Sequence, residues 1–134
     1  MSTRYPHSPE YHPPIPALFV GLRPPDGGQS QSLLLAIVDT GADMTLVPLS
    51  MLEQIGAPEL DEVRLRSHWG ETMTATTYLI DMELDADILP GVEVVGDLHG
   101  KTVLLGRNVI NKLLLLVDGP RLSTDLLVRR PSVT

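Results

Sequence analysis

The sequence contains no cysteine, and that absence removes several chemistries at once. There is no disulfide framework, no thiol nucleophile and no thiolate metal site. Aromatic residues are nearly as scarce, at 4% of the chain. The core must therefore be built mainly from Leu, Val and Ile. Positive charge is also in short supply: 10 Lys and Arg face 17 Asp and Glu, for a net charge of −7. A field of that sign repels phosphate, which argues against a nucleic acid or an anionic membrane as partner. No run is long and apolar enough to span a bilayer. The stretch 1–16 is polar and Pro-rich, unlike a signal peptide, so the expected location is the cytoplasm. The four histidines, His7, His12, His68 and His99, are scattered without metal-ligand spacing. They read as surface residues, and neither a metal nor any other cofactor is expected.

What is present fits one domain. The chain has 134 residues, of which 43% are hydrophobic, enough for a single core. Residues 1–14 hold Pro6, Pro9, Pro13 and Pro14 and read as a loose arm, because proline removes backbone donors. Residues 15–130 read as the folded domain. Strands are expected at 15–22, 33–38, 92–95, 103–105, 113–117 and 122–128, with turns at Pro24-Pro25-Asp26-Gly27-Gly28, Leu89-Pro90-Gly91 and Asp118-Gly119-Pro120. Short helices are expected at 48–55, closed by Gly56, and at 107–112. Extended stretches at 62–66 and 72–84 flank the polar Ser67-His68-Trp69-Gly70-Glu71 and describe a hairpin. Asp81, Glu83, Asp85 and Asp87 alternate at period two, which reads as a solvated strand face. Many short strands with little helix predict an all-β domain, closed or sandwich-like.

The stretch that carries chemistry runs from Ala36 to Pro48, where the apolar Ala36-Ile37-Val38 leads straight into Asp39-Thr40-Gly41-Ala42-Asp43. Alone, Asp-Thr-Gly is a weak signal. At ordinary residue usage, chance places it in a chain this long about a few times in a hundred. Asp and Gly after a strand also make routine turns. A sharper reading comes from hydrolysis by two carboxylates that share one proton, one serving as acid and the other as base on a water. Each carboxylate must then be held rigidly at the end of a buried strand. Gly41 lets two such loops approach, and the Thr40 hydroxyl can bond across to the opposite loop. About 65 residues on, Val103-Leu104-Leu105-Gly106-Arg107-Asn108 is an apolar strand ending in glycine at a short helix.

With both motifs in this order and a hairpin between them, the sequence resembles the retroviral-type pepsins, or retropepsins, and their bacterial single-domain relatives, over roughly residues 17–117. That resemblance implies a retropepsin-like barrel with a flap hairpin and one or two short helices. Asp39 is the implied catalytic acid, Thr40 the cross-subunit lock, and Gly41 the residue whose carbonyl meets the substrate backbone; Ala42 completes the loop. Asp43 is expected to pair with Arg107 and line the cleft, and Leu104, Leu105 and Gly106 to brace the loop from behind. His68, Trp69, Gly70 and Glu71 are the implied flap, although its single glycine and bulky Trp69 depart from glycine-rich retroviral tips. The extra residues after Val117 suggest a further hairpin and a different dimer interface.

The chain holds one Asp-Thr-Gly, too few for a two-lobed enzyme, so the reading is a homodimeric endopeptidase acting on a peptide or protein substrate. The alternative is a catalytically silent dimeric module of the same fold that grips an extended peptide by strand addition. Retention of Asp39 argues against it, because a pure binder has no use for two facing carboxylates. A third reading is a monomer whose site forms only on a trigger.

Overall fold

Apolar runs and turn residues lay out the elements in a computed structural model of the chain, which describes residues 2–66, 70–85, 87–130 and 132. The strands are β1 (Ser2–Pro6), β2 (Ala17–Arg23), β3 (Gln31–Val38), β4 (Thr45–Pro48), β5 (Glu59–Arg66), β6 (Thr72–Leu84), β7 (Asp87–Asp97), β8 (Val103–Leu105), β9 (Leu114–Asp118) and β10 (Ser123–Leu127). Two short helices, α1 (Leu49–Ile55) and α2 (Arg107–Ile110), complete the set. Gly56 ends α1 in the left-handed conformation that glycine tolerates best, φ +68°, and its N–H returns to the last turn. Among the described residues no helix is long and apolar enough to cross a membrane.

Seven strands form one sheet in the order β2-β3-β8-β4-β7-β6-β5, and β2 also pairs with β6. That pairing closes a barrel of six strands and leaves β5 as an edge beyond it. The expected all-β, retropepsin-like barrel is the fold observed. Closure buries an aliphatic core that includes Leu18, Val20, Leu22, Ile80, Met82 and Leu105, all below 2% exposed. The sequence predicts this composition from its poverty in aromatics.

Three expectations need correction. Residues 2–6 are not a loose arm: β1 pairs antiparallel with β10, which pairs with β9, as a separate three-stranded sheet. Proline does not prevent this, because Pro6 is the last residue of β1 and the other prolines of the stretch follow it. Leu89-Pro90-Gly91 does not end a strand. It lies inside β7 opposite a register shift of β6, and Gly91 adopts φ +64°, so the chain bulges and continues. His7 is buried, not on the surface, and neither ring nitrogen has a hydrogen-bond partner among the described residues. The β4 strand has no counterpart in the sequence reading. Other boundaries move by one to three residues; β3 begins at Gln31, two residues early, because Leu33 bulges at φ +57° against β2.

Candidate active site

The site is built by strand order. β8 lies between β3 and β4, parallel to β3 with Val38 opposite Leu105, and bridged to β4 at Leu46 and Leu104. The loop from Asp39 to Met44 therefore leaves the sheet at the end of β3 and returns as β4 on the other side of β8. Its backbone is tied at both ends. The Asp39 N–H donates to the Leu105 carbonyl at 3.0 Å, and the Arg107 N–H donates to the Ala42 carbonyl at 2.8 Å.

Inside the loop, the Gly41 N–H donates to Asp39 Oδ1 at 2.9 Å, which aims one carboxylate oxygen. A side chain at position 41 would press on that same oxygen, at 3.2 Å. Asp39 itself is half-buried, and Thr40 and Gly41 are exposed at the loop tip. Arg107 holds the far side: Nη1 donates to the Thr40 carbonyl at 2.9 Å, and Nη2 pairs with the Asp43 carboxylate. The fork of one guanidinium thus spans both flanks of the loop.

Behind the loop lies a closed polar network. Thr45 is fully buried, and its hydroxyl donates to Asn108 Oδ1 at 2.8 Å while accepting from the Gly106 N–H at 3.0 Å. Asn108 Oδ1 also accepts from the Thr45 N–H at 3.0 Å, and Nδ2 donates to the Glu93 carbonyl at 2.8 Å. Every polar atom of these two side chains is matched, so the low-dielectric setting strengthens the network. Gly106 is required here because a Cβ would run into the Met44 carbonyl and come within 2.9 Å of the Thr45 nitrogen.

A cleft of about 750 Å³ opens beside Asp39, bounded by Gly41, Ala42, Asp43, Met44 and Leu46 on the loop side and by residues 63–66 of β5 opposite. A second hollow of about 440 Å³ also reaches Asp39, with Tyr11, Leu46 and Lys101 among its walls. The structure thus gathers Asp39, Gly41, Ala42 and Asp43 at one cleft and puts Thr40 and Arg107 directly beside it. Leu104, Leu105 and Gly106 lie behind. The flap reading of His68 and Trp69 falls outside the described residues; Gly70, at φ +81°, and Glu71 are exposed on the far side of the hairpin tip. Sequence reasoning assigned no role to Thr45 or Asn108, although both lie in the quoted motifs, and a Thr and an Asn among apolar residues were the available signal. It gave no sign of the β5 wall, because which strand faces a loop is not written locally.

Comparison with known proteins agrees with this geometry. The family model described as "gag-polyprotein putative aspartyl protease" matches residues 30–112, which include both motifs and the hairpin. Among solved structures, a retropepsin-like aspartic protease from Rickettsia conorii is similar at TM-score 0.61 and 10% identity, covering 94% of this chain and 90% of that one. The EIAV protease, solved in complex with the inhibitor HBY-793, is similar at TM-score 0.57 and 12% identity, over 73% of this chain and 86% of its own. A search of curated proteins finds no match. The likeness to the solved structures is one of fold; the family match spans more than half of the sequence, and the chain belongs to the gag-polyprotein aspartyl protease family.

Proposed function

We propose that the chain is an aspartic endopeptidase that works as a homodimer, with Asp39 from each copy forming one two-carboxylate site. The observation that carries this reading is the setting of Asp39: a half-buried carboxylate, aimed by the Gly41 N–H, at the tip of a loop braced from behind and open to a cleft. One chain holds a single such carboxylate, so the chemistry calls for a second copy. Two carboxylates about 3 Å apart cannot both be ionised, and they share one proton. The ionised member takes a proton from water as it attacks the peptide carbonyl, and the protonated member donates to the carbonyl oxygen. Collapse of the tetrahedral intermediate passes a proton to the leaving amine and restores the shared proton.

In this scheme the exposed Thr40 hydroxyl is free to lock the two loops together, and Gly41 offers its carbonyl to the substrate. The hairpin of β5 and β6, joined by the sequence that contains His68, Trp69, Gly70 and Glu71, closes over the peptide. Asp43 and Arg107 hold the outer flank of the loop.

The test is a mixing experiment. Asp39→Asn should leave a folded dimer without cleavage. Equal amounts of wild type and Asp39→Asn, after full subunit exchange verified by mass spectrometry of tagged chains, should leave about one quarter of the dimers as wild-type pairs. Activity per wild-type chain should then fall to about half. No loss per wild-type chain after complete exchange rules out the shared site.

A further inference from the structure

The cleft beside Asp39 has a charge that the rest of the chain does not prepare for. The protein carries a net charge of −7, yet two arginines, Arg64 and Arg66, stand in the wall facing the catalytic loop. They lie two residues apart on β5 and therefore project to the same side of the strand. Both are exposed, and among the described residues neither has a carboxylate partner. The acids nearest them in β5, Asp61 and Glu62, do not line the cleft. Two acids on the opposite side do: Asp43, whose carboxylate is held by Arg107, and Asp39, the carboxylate of the proposed site. Val63 and Leu65 alternate with the arginines and so project from the other face of the strand; half-buried, they give the cleft its apolar floor together with Met44 and Leu46. β5 is also the last strand of its sheet, so its outer edge offers unpaired backbone groups to an extended chain.

We propose that this cleft selects acidic peptides: an extended substrate with an apolar side chain on the floor and a carboxylate, within a few residues of it, on Arg64 and Arg66. The proposal rests on the endopeptidase reading for the cutting step and not for the binding preference. A planar guanidinium fork matches a carboxylate better than it matches an amide or a cation. Two like charges on one face also raise the local concentration of an acidic ligand, in a protein whose remaining surface repels it.

The experiment uses the full chain and a peptide set in which each position flanking a central apolar pair is Glu, Gln or Lys. Wild type should cleave Glu peptides about three- to tenfold faster than Gln peptides at one or two defined positions, the range expected for exposed charge-assisted contacts. Raising the salt should shrink that ratio, because the Debye length falls to about 3 Å at 1 M. The double change Arg64→Gln with Arg66→Gln should bring the ratio to about one. Arg64→Glu with Arg66→Glu should invert it in favour of Lys, a gain that misfolding cannot mimic. Equal rates for Glu and Gln in wild type, or a preference that survives the reversal, overturn the proposal. The same peptides are titrated against the Asp39→Asn chain by fluorescence anisotropy. If nothing is cleaved but Glu peptides bind more tightly than Gln peptides, the endopeptidase reading fails and the acidic preference stands. If nothing is cleaved and Glu and Gln peptides bind alike, or none binds, both fail.

Discussion

The barrel loop and the terminal sheet each contain an arginine–aspartate pair, and the two pairs are held in opposite ways. In the terminal sheet Arg4 and Asp125 lie directly opposite on β1 and β10, joined by Nε to Oδ1 at 2.8 Å and Nη2 to Oδ2 at 3.2 Å. The Asp125 side chain is only 7% exposed. At the loop, the Asp43 side chain is 83% exposed and that of Arg107 44%. A carboxylate shut away from water depends on its partner, whereas one in solvent exchanges that partner for water at little cost. The terminal pair therefore serves stability by fastening the N-terminal strand. The loop pair serves geometry, since its guanidinium also holds the Thr40 carbonyl. The same two residue types do different work because burial differs, not because their chemistry does.

The comparison can be broken most severely behind the loop. Gly106→Ala drives a methyl group into Met44 backbone, which has no flexible end to move aside. The expected loss is about 1–3 kcal/mol in denaturant unfolding, with activity lost as the loop shifts. An unchanged midpoint would contradict the close approach of the β8 end to the loop.

Next comes Asp125→Asn, which leaves Arg4 without its carboxylate. The Arg4 hydrogen bond, followed by the arginine's charge, holds the Asp125 carboxyl below its ordinary value of 3.8. A depressed folded value means stability that is present above the unfolded value and lost as pH falls through the folded one. Wild type should therefore lose Tm as pH drops below about 4, and Asp125→Asn should have a lower Tm at neutral pH and a flatter acid limb. Asp43→Asn, the matching change at the exposed pair, should move Tm much less. Equal shifts would erase the distinction between the two pairs.

Arg107→Lys sharpens the same contrast. One ammonium cannot reproduce a fork that meets both Thr40 and Asp43. Unfolding free energy should change by about 1 kcal/mol or less, as for other exposed pairs, while kcat falls without a matching change in Tm. A parallel loss of both would make the pair structural. The smallest effect is expected from Ala42→Ser. A hydroxyl beside the loop stabilises the charged carboxylate, so the upper limb of the pH–rate profile should move to lower pH. Movement to higher pH would contradict that argument.

Much of the barrel was legible because its signals are local. The 33–38 and 103–105 runs are apolar without alternation, which marks buried strands, and both form strands, although β3 begins two residues early and its Leu33 is exposed. The 72–84 strand and the Gly56 stop were read with the same success. The loop residues Asp39 to Asp43 were legible for the same reason, as an acid and a glycine in immediate sequence with the strand that carries them. The terminal sheet was hidden, since β1 pairs with a strand 121 residues away at Arg4 and Asp125, and prolines nearby suggested a loose chain. Burial of His7 was hidden with it, because His7 follows β1 directly and its N–H bonds to the distant Leu122 carbonyl.

By itself the sequence determined an all-β chain with an aliphatic core, one strand-borne carboxylate and a glycine-capped strand to stand behind it. These follow from hydrophobic period, turn chemistry and residue scarcity, all of which act over a few neighbours. Only the tertiary structure decided that β8 threads between β3 and β4, that Asn108 satisfies a buried Thr45 from 63 residues away, and that Arg64 and Arg66 line the same cleft as Asp39. Those relations depend on barrel closure and sheet order. They pair segments through space according to the total apolar surface buried, a sum that no single stretch of sequence contains.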